Sequence, residues 1–136
     1  MAEPVILYDG ACVFCSASMR LVHRLDRRGR FRFAAIASPA GSRLLARHGF
    51  PPGFADSIVL IEDGRALIDS AAVLVLFAAL PATALPARAL RALLPRRPLD
   101  RLYRWVAARR YRIAGRRPAC PAPDAAFRAR MLPDGF

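Results

Sequence analysis

Two cysteines, Cys12 and Cys15, stand three positions apart in the stretch "VILYDGACVFCSASM", residues 5–19, directly after a short β-like run. At the start of a helix, thiols at i and i+3 lie on one face about a turn apart, close enough to form a small disulfide ring with little backbone movement. The first of them meets unsatisfied helix N–H groups and the positive end of the helix dipole, both of which favour a thiolate. Cys12 is therefore expected to be the more readily ionised and more exposed sulfur, and the nucleophile. Cys15 is expected to be the resolving thiol that cleaves the mixed disulfide from within the same helix.

Few other residues could join this chemistry. Asp9, three positions before Cys12, either forms the Asp-Gly turn that leads the chain into the helix or tunes the thiol as a proton acceptor. The third cysteine, Cys120, sits in a Pro-rich tail and is expected to be dispensable for exchange. A zinc site needs four ligands, and only Cys120, His23 and His48 remain to complete one. His23 lies about 16 Å along the helix from Cys12 at a rise of about 1.5 Å per residue, too far to share a metal. His48 in "RHGF" suits a helix C-terminus. No metal is expected, and two buried structural cysteines are the remaining plain alternative.

Periodicity supplies the elements that must position the pair. "VILY", 5–8, reads as a strand stopped by Asp9-Gly10. A helix follows from Cys12, with Cys15, Met19, Val22 and Asp26 on one stripe, widened by Phe14, Leu21 and Leu25, and with Gly29 as its stop. "RFRFAAI" alternates as a strand does. Ser38 and Pro39 open a second helix as N-cap and first helical residue. "DSIVLIEDGRALID" reads as two strands turning at Asp63-Gly64. Ser70 caps a third helix that Pro81 ends. Beyond it, "PARALRALL" and a longer segment from Pro98 read as two further helices, the second with an inward stripe of Leu99, Leu102, Tyr103, Val106 and Ile113. The predicted organisation is one domain: a core over about 1–80, C-terminal helices over about 86–115 and an irregular tail over 116–136.

Composition bounds the function. The 136 residues are 55% hydrophobic, enough for a core without staples, and the N-terminal "MAEP" carries no secretory pattern, so the cysteines are expected in a reducing cytoplasm. The run "SAAVLVLFAALPATAL" extends for about 15 residues and contains a proline, whereas a membrane span needs about 20 apolar residues. The net charge of +12 comes from 22 basic residues that are all Arg, a pattern of GC-rich bacterial-type coding. The arginines are spread along the chain without an aromatic platform, so solvated helix faces are expected and no specific nucleic acid. A non-catalytic reading remains beside the catalytic one: Arg-rich helices docking peripherally on an acidic partner or anionic membrane surface, with the cysteine pair as a redox sensor.

A Cys-x-x-Cys that follows a strand and opens a helix in a βαβαββα order is a thioredoxin-like redox signal, giving an α/β fold with a C-terminal helical extension. "YDGACVFC" carries Asp-x-x-Cys-x-x-Cys, and with "DSIVLIEDG", "IDSAAVL" and "LPRRPLDRLYRWVAARRYRIAG" the chain resembles the DCC family of predicted thiol-disulfide oxidoreductases over nearly its whole length. The resemblance implies a thioredoxin-like fold, a disulfide or thiol substrate, and Asp9, Cys12 and Cys15 as signature residues. Thioredoxins place a cis-proline before the third strand, where this chain has Asp56-Ser57. Glutaredoxin-like proteins bind glutathione partly at the start of the helix after the hairpin. Asp69-Ser70 stands there, making glutathione a candidate co-substrate and the free N–H groups a candidate carboxylate site. No bound cofactor is expected.

Overall fold

The computed structural model describes residues 3–51, 53–55, 57–114 and 125–135. Four strands form one sheet: β1 (Val5–Tyr8), β2 (Arg32–Ala35), β3 (Val59–Glu62) and β4 (Arg65–Ile68), in the order β2-β1-β3-β4. β1 runs parallel to β2, which requires a crossover, and antiparallel to β3, which turns back into β4. The crossover is helix α1 (Val13–Leu25); α2 (Pro39–Arg47) links β2 to the hairpin, and α3 (Asp69–Ala78) completes a thioredoxin-like βαβαββα core.

Strand alternation builds three layers. Ile6, Tyr8, Phe33 and Leu60 point to one face, where Met19 and Val22 of α1 and Ala72 and Leu76 of α3 cover them. Leu7, Ala34 and Val59 point to the other, against Leu45 of α2. Each of the larger side chains, fully buried, contributes about 1.5–3 kcal/mol of transfer free energy.

Local signals account for the element ends. Ser38 accepts the Gly41 N–H at 3.1 Å as N-cap of α2, with Pro39 at the first helical position and His48 at the C-cap. Asp63 and Gly64 take φ of 52° and 76°, the paired left-handed conformation of a type I′ hairpin turn. Asp26 ends α1 and accepts the N–H groups of Arg30 at 3.0 Å and Phe31 at 2.9 Å, folding the chain into β2.

Three expectations need correction. Ser70 does not cap α3: that helix starts after Ile68 with no side-chain cap, and Asp69 takes a left-handed φ of 54°. The Ser70 hydroxyl instead meets a carboxylate from a later helix. The C-terminal helices also start earlier than expected, as α4 (Ala84–Leu93) and α5 (Arg96–Ala114). Finally, the tail is not irregular throughout, because 125–130 forms a short helix, α6 (Ala125–Arg130). Phe127 inserts beside Phe33, with ring centroids 4.9 Å apart, and the next segment lines the free edge of β2 through Met131. Arg32 secures it by donating to the carbonyls of Arg130 at 3.0 Å and Met131 at 3.1 Å. Six residues are too few for periodicity to show, and a long-range contact holds them.

α5 packs across α1 and α3. Its Leu99, Tyr103 and Val106 are partly buried, whereas Leu102 is 60% exposed; the side chain of Ile113 lies outside the described set.

Candidate active site

β1 ends at Tyr8, and the next four residues deliver the cysteine pair. The Ala11 N–H bonds the Asp9 carboxylate at 3.0 Å and the Cys12 N–H bonds the Asp9 carbonyl at 3.2 Å, so Asp9 closes a tight turn onto α1. Cys12 is the N-cap, with extended backbone (φ −87°, ψ 119°), and its Sγ accepts the Cys15 N–H at 3.2 Å. A sulfur thus fills the capping position that an oxygen more often takes.

That capping role reverses the expected exposure. Cys12 is completely buried, whereas Cys15 is partly exposed, because the cap turns its sulfur back onto the first helical turn and away from solvent. Burial, followed by the hydrogen bond to Cys12 and the Coulomb interaction with Cys12, pushes the Cys15 thiol well above its ordinary value. Arg110 opposes that rise, and Asp9 adds to it. Cys15 is therefore held protonated.

Three residues of α5 that the sequence reading did not assign to the site complete it. Arg110 sends one guanidinium nitrogen to the Asp9 carboxylate at 3.3 Å and to the Ala55 carbonyl at 2.7 Å. The Tyr103 hydroxyl accepts the Ile58 N–H at 3.0 Å and lies 3.3 Å from the Ser57 hydroxyl. Burial raises the Tyr103 phenol above its ordinary value, so it stays neutral. Asp100 accepts the Ser70 N–H at 3.3 Å and the Ser70 hydroxyl. The signal was present: Leu99, Tyr103, Val106 and Arg110 recur at spacings of four, three and four, one face of a helix.

Of the residues singled out in the sequence, Asp9, Ser57 and Ser70 share with Cys15 the wall of a cavity of about 420 Å³ between α1, α3, α4 and α5. Asp69 is not in that wall: its N–H donates to the Ser57 hydroxyl at 2.8 Å, and its carboxylate pairs with Arg104 at 3.5 Å. Asp56 and Cys120 lie outside the described residues. Among the described residues no three His, Cys, Asp or Glu side chains gather to hold a metal. His23 instead packs its ring edge-on against Phe127, centroids 5.5 Å apart.

The start of α3, read from sequence as a candidate carboxylate site, is occupied from within. Asp100 already bonds Ser70 there, so a substrate carboxylate would have to displace it.

A dithiol opening the first helix of a βαβαββα sheet defines a thioredoxin-like protein of the Cys-x-x-Cys type. Residues 6–116 match the DCC1-like thiol-disulfide oxidoreductase family, and the chain belongs to it. It is 38% identical over 121 residues to a chloroplastic DCC family protein of Arabidopsis thaliana, covering 87% of this chain and 69% of that protein. It is 31% identical over 131 residues to the uncharacterized protein YuxK of Bacillus subtilis, covering 95% and 93%. No solved structure matches. Among the described residues, no helix is long and apolar enough to cross a membrane.

Proposed function

We propose that this protein is a thiol-disulfide oxidoreductase working through Cys12 and Cys15. The observation that carries the reading is the Cys12 sulfur at the N-cap of α1, accepting the Cys15 N–H at 3.2 Å while Cys15 stays protonated beside it. Cys12 attacks one sulfur of a substrate disulfide, forming a mixed disulfide and releasing the other half as a thiolate. Cys15 then loses its proton, attacks the Cys12 sulfur, closes the Cys12–Cys15 disulfide and releases the second thiol. Two electrons pass from the dithiol to the substrate, and an external thiol returns the pair to its reduced state.

Cys12 is fully buried, so its attack requires the pair to open from the conformation described. A reducing compartment, the cytoplasm first of all, suits a dithiol that starts each cycle reduced. Glutathione fits as the resetting thiol, which needs no carboxylate site at α3.

Mixed-disulfide trapping with Cys15→Ser tests the assignment. The expected product is a covalent adduct on Cys12 that a dithiol releases. An adduct that forms on Cys15 in Cys12→Ser but never on Cys12 in Cys15→Ser would reverse the roles, and no adduct in either variant would leave the Arg-rich binding reading in its place.

A further inference from the structure

The cavity beside Cys15 is larger than the exchange of a bare disulfide needs, and its lining is almost entirely hydrocarbon. Its volume of about 420 Å³ lies within the usual range for small-molecule sites, about 300–1,000 Å³. Phe14 and Leu21 of α1, Phe77 of α3 and Leu102 and Val106 of α5 contribute side chains to its wall. Phe14, Leu21 and Leu102 are 37%, 50% and 60% exposed, so apolar surface continues outward from it.

We propose that this cavity is the substrate site of the exchange reaction and that it takes the apolar body of a small, uncharged organic disulfide, holding its S–S bond beside Cys15, where Cys12 attacks it once the pair opens. The proposal rests on the exchange reading above and narrows it to a substrate class.

Three observations select that occupant. The cavity wall includes a thiol of the reactive pair, so a bound molecule meets the chemistry. At that end one guanidinium nitrogen of Arg110 bonds Asp9 and the Ala55 carbonyl, and the Tyr103 hydroxyl holds the Ile58 N–H. A substrate carrying several charges would lose its hydration there without matching partners, a large penalty in an apolar site. The third concerns polypeptides. The Ile58 N–H precedes β3 and shares the Cys15 wall, but Tyr103 already holds it at 3.0 Å, so an extended substrate backbone bonds there only by displacing the Tyr103 hydroxyl. Alkyl or aromatic groups meet no such obstacle and bury against the lining at about 25 cal/mol per Å² of apolar surface.

The step balances as for any dithiol. R–S–S–R and two protein thiols become two R–SH and the Cys12–Cys15 disulfide, so the substrate is reduced by two electrons and the pair oxidised by two.

The test uses the reduced full-length chain in single turnover with dibutyl disulfide, bis(2-hydroxyethyl) disulfide and oxidised glutathione, with formation of the Cys12–Cys15 disulfide read by mass spectrometry. Dibutyl disulfide is expected to oxidise the pair at least tenfold faster than either of the others. Leu102→Glu, which puts a charge on a largely exposed position of the wall, is expected to reduce that preference at least fivefold, and Leu102→Met to keep it. A parallel NMR titration with dibutyl sulfide, which has similar alkyl arms but no S–S bond, is expected to shift the amides of Cys15, Phe77 and Val106. If the disulfides react with no alkyl preference and the sulfide does not bind, the cavity proposal is overturned while exchange stands. If the sulfide binds and no disulfide reacts, exchange fails, and the substrate proposal fails with it.

Discussion

Arg110, near the end of α5, holds its guanidinium 3.3 Å from the carboxylate of Asp9, the residue that turns the chain into the Cys12 helix. Both side chains are mostly withdrawn from solvent, 12% and 14% exposed, and the same nitrogen reaches the Ala55 carbonyl. The aspartate that begins the cysteine signature thus has two roles. It shapes the turn through the Ala11 N–H, and it ties the C-terminal helices to the site. Its negative charge, which alone would raise the Cys15 thiol, is balanced by a cation acting in the opposite direction.

Asp9→Asn should preserve the turn acceptor and lose the ion pair. Hydrogen bonds to charged groups contribute about 1.5–3 kcal/mol, and a loss of stability of about that size is expected in urea denaturation. Arg110→Ala should cost a similar amount, and the double variant should lose less than the sum. An additive double variant would show that the two residues do not act as a pair.

Arg110 lowers the Cys15 thiol against the raising effects of burial and Cys12. In a Cys12→Ser background, where Cys15 is the remaining thiol of the pair, Arg110→Gln should move the alkylation profile of Cys15 to higher pH. Alkylation rates measured across the alkaline range check this. An unchanged or lower midpoint contradicts the electrostatic role.

The Asp100 carboxylate is held below its ordinary value of 3.8, first by the hydrogen bond from the Ser70 hydroxyl. A depressed folded-state value means the stabilisation is present above the unfolded value and lost as pH falls through the folded one. Asp100→Asn should therefore be less stable than the parent protein at neutral pH, with the difference shrinking under acid conditions. Denaturation midpoints across acid and neutral pH would expose the error if the gap were constant.

Gly41, on α2, lies so close to the end of β2 that a Cβ would run into the Ala35 carbonyl oxygen. Gly41→Ala should destabilise by about 3 kcal/mol or more, at or beyond the upper end of ordinary overpacking, despite the higher helix propensity of alanine. A small or favourable change in melting temperature would mean that α2 can shift outward freely.

Cys120→Ser should leave exchange through Cys12 and Cys15 unchanged, as the two-thiol scheme requires. Loss of single-turnover oxidation in this variant would point to a relay of three cysteines.

The sequence by itself determined the core order, the Ser38 cap, the Asp63-Gly64 turn and the place of Cys12 at the start of α1, because each depends on neighbours within about a turn of the chain. The same locality explains the misreadings. Ser70 has the residue type of a cap, yet its hydroxyl bonds Asp100, thirty residues onward. Cys12 looked exposed because a helix start usually is, whereas its sulfur is turned onto the helix and buried. Only the tertiary structure decided that α5 lies over α1 and α3, bringing Arg110 to Asp9 across 101 positions and leaving an apolar cavity beside Cys15. Helical spacing showed which α5 residues share a face, but what that face meets depends on how the helices pack. That packing arises from contacts far apart in the chain, which no local pattern records.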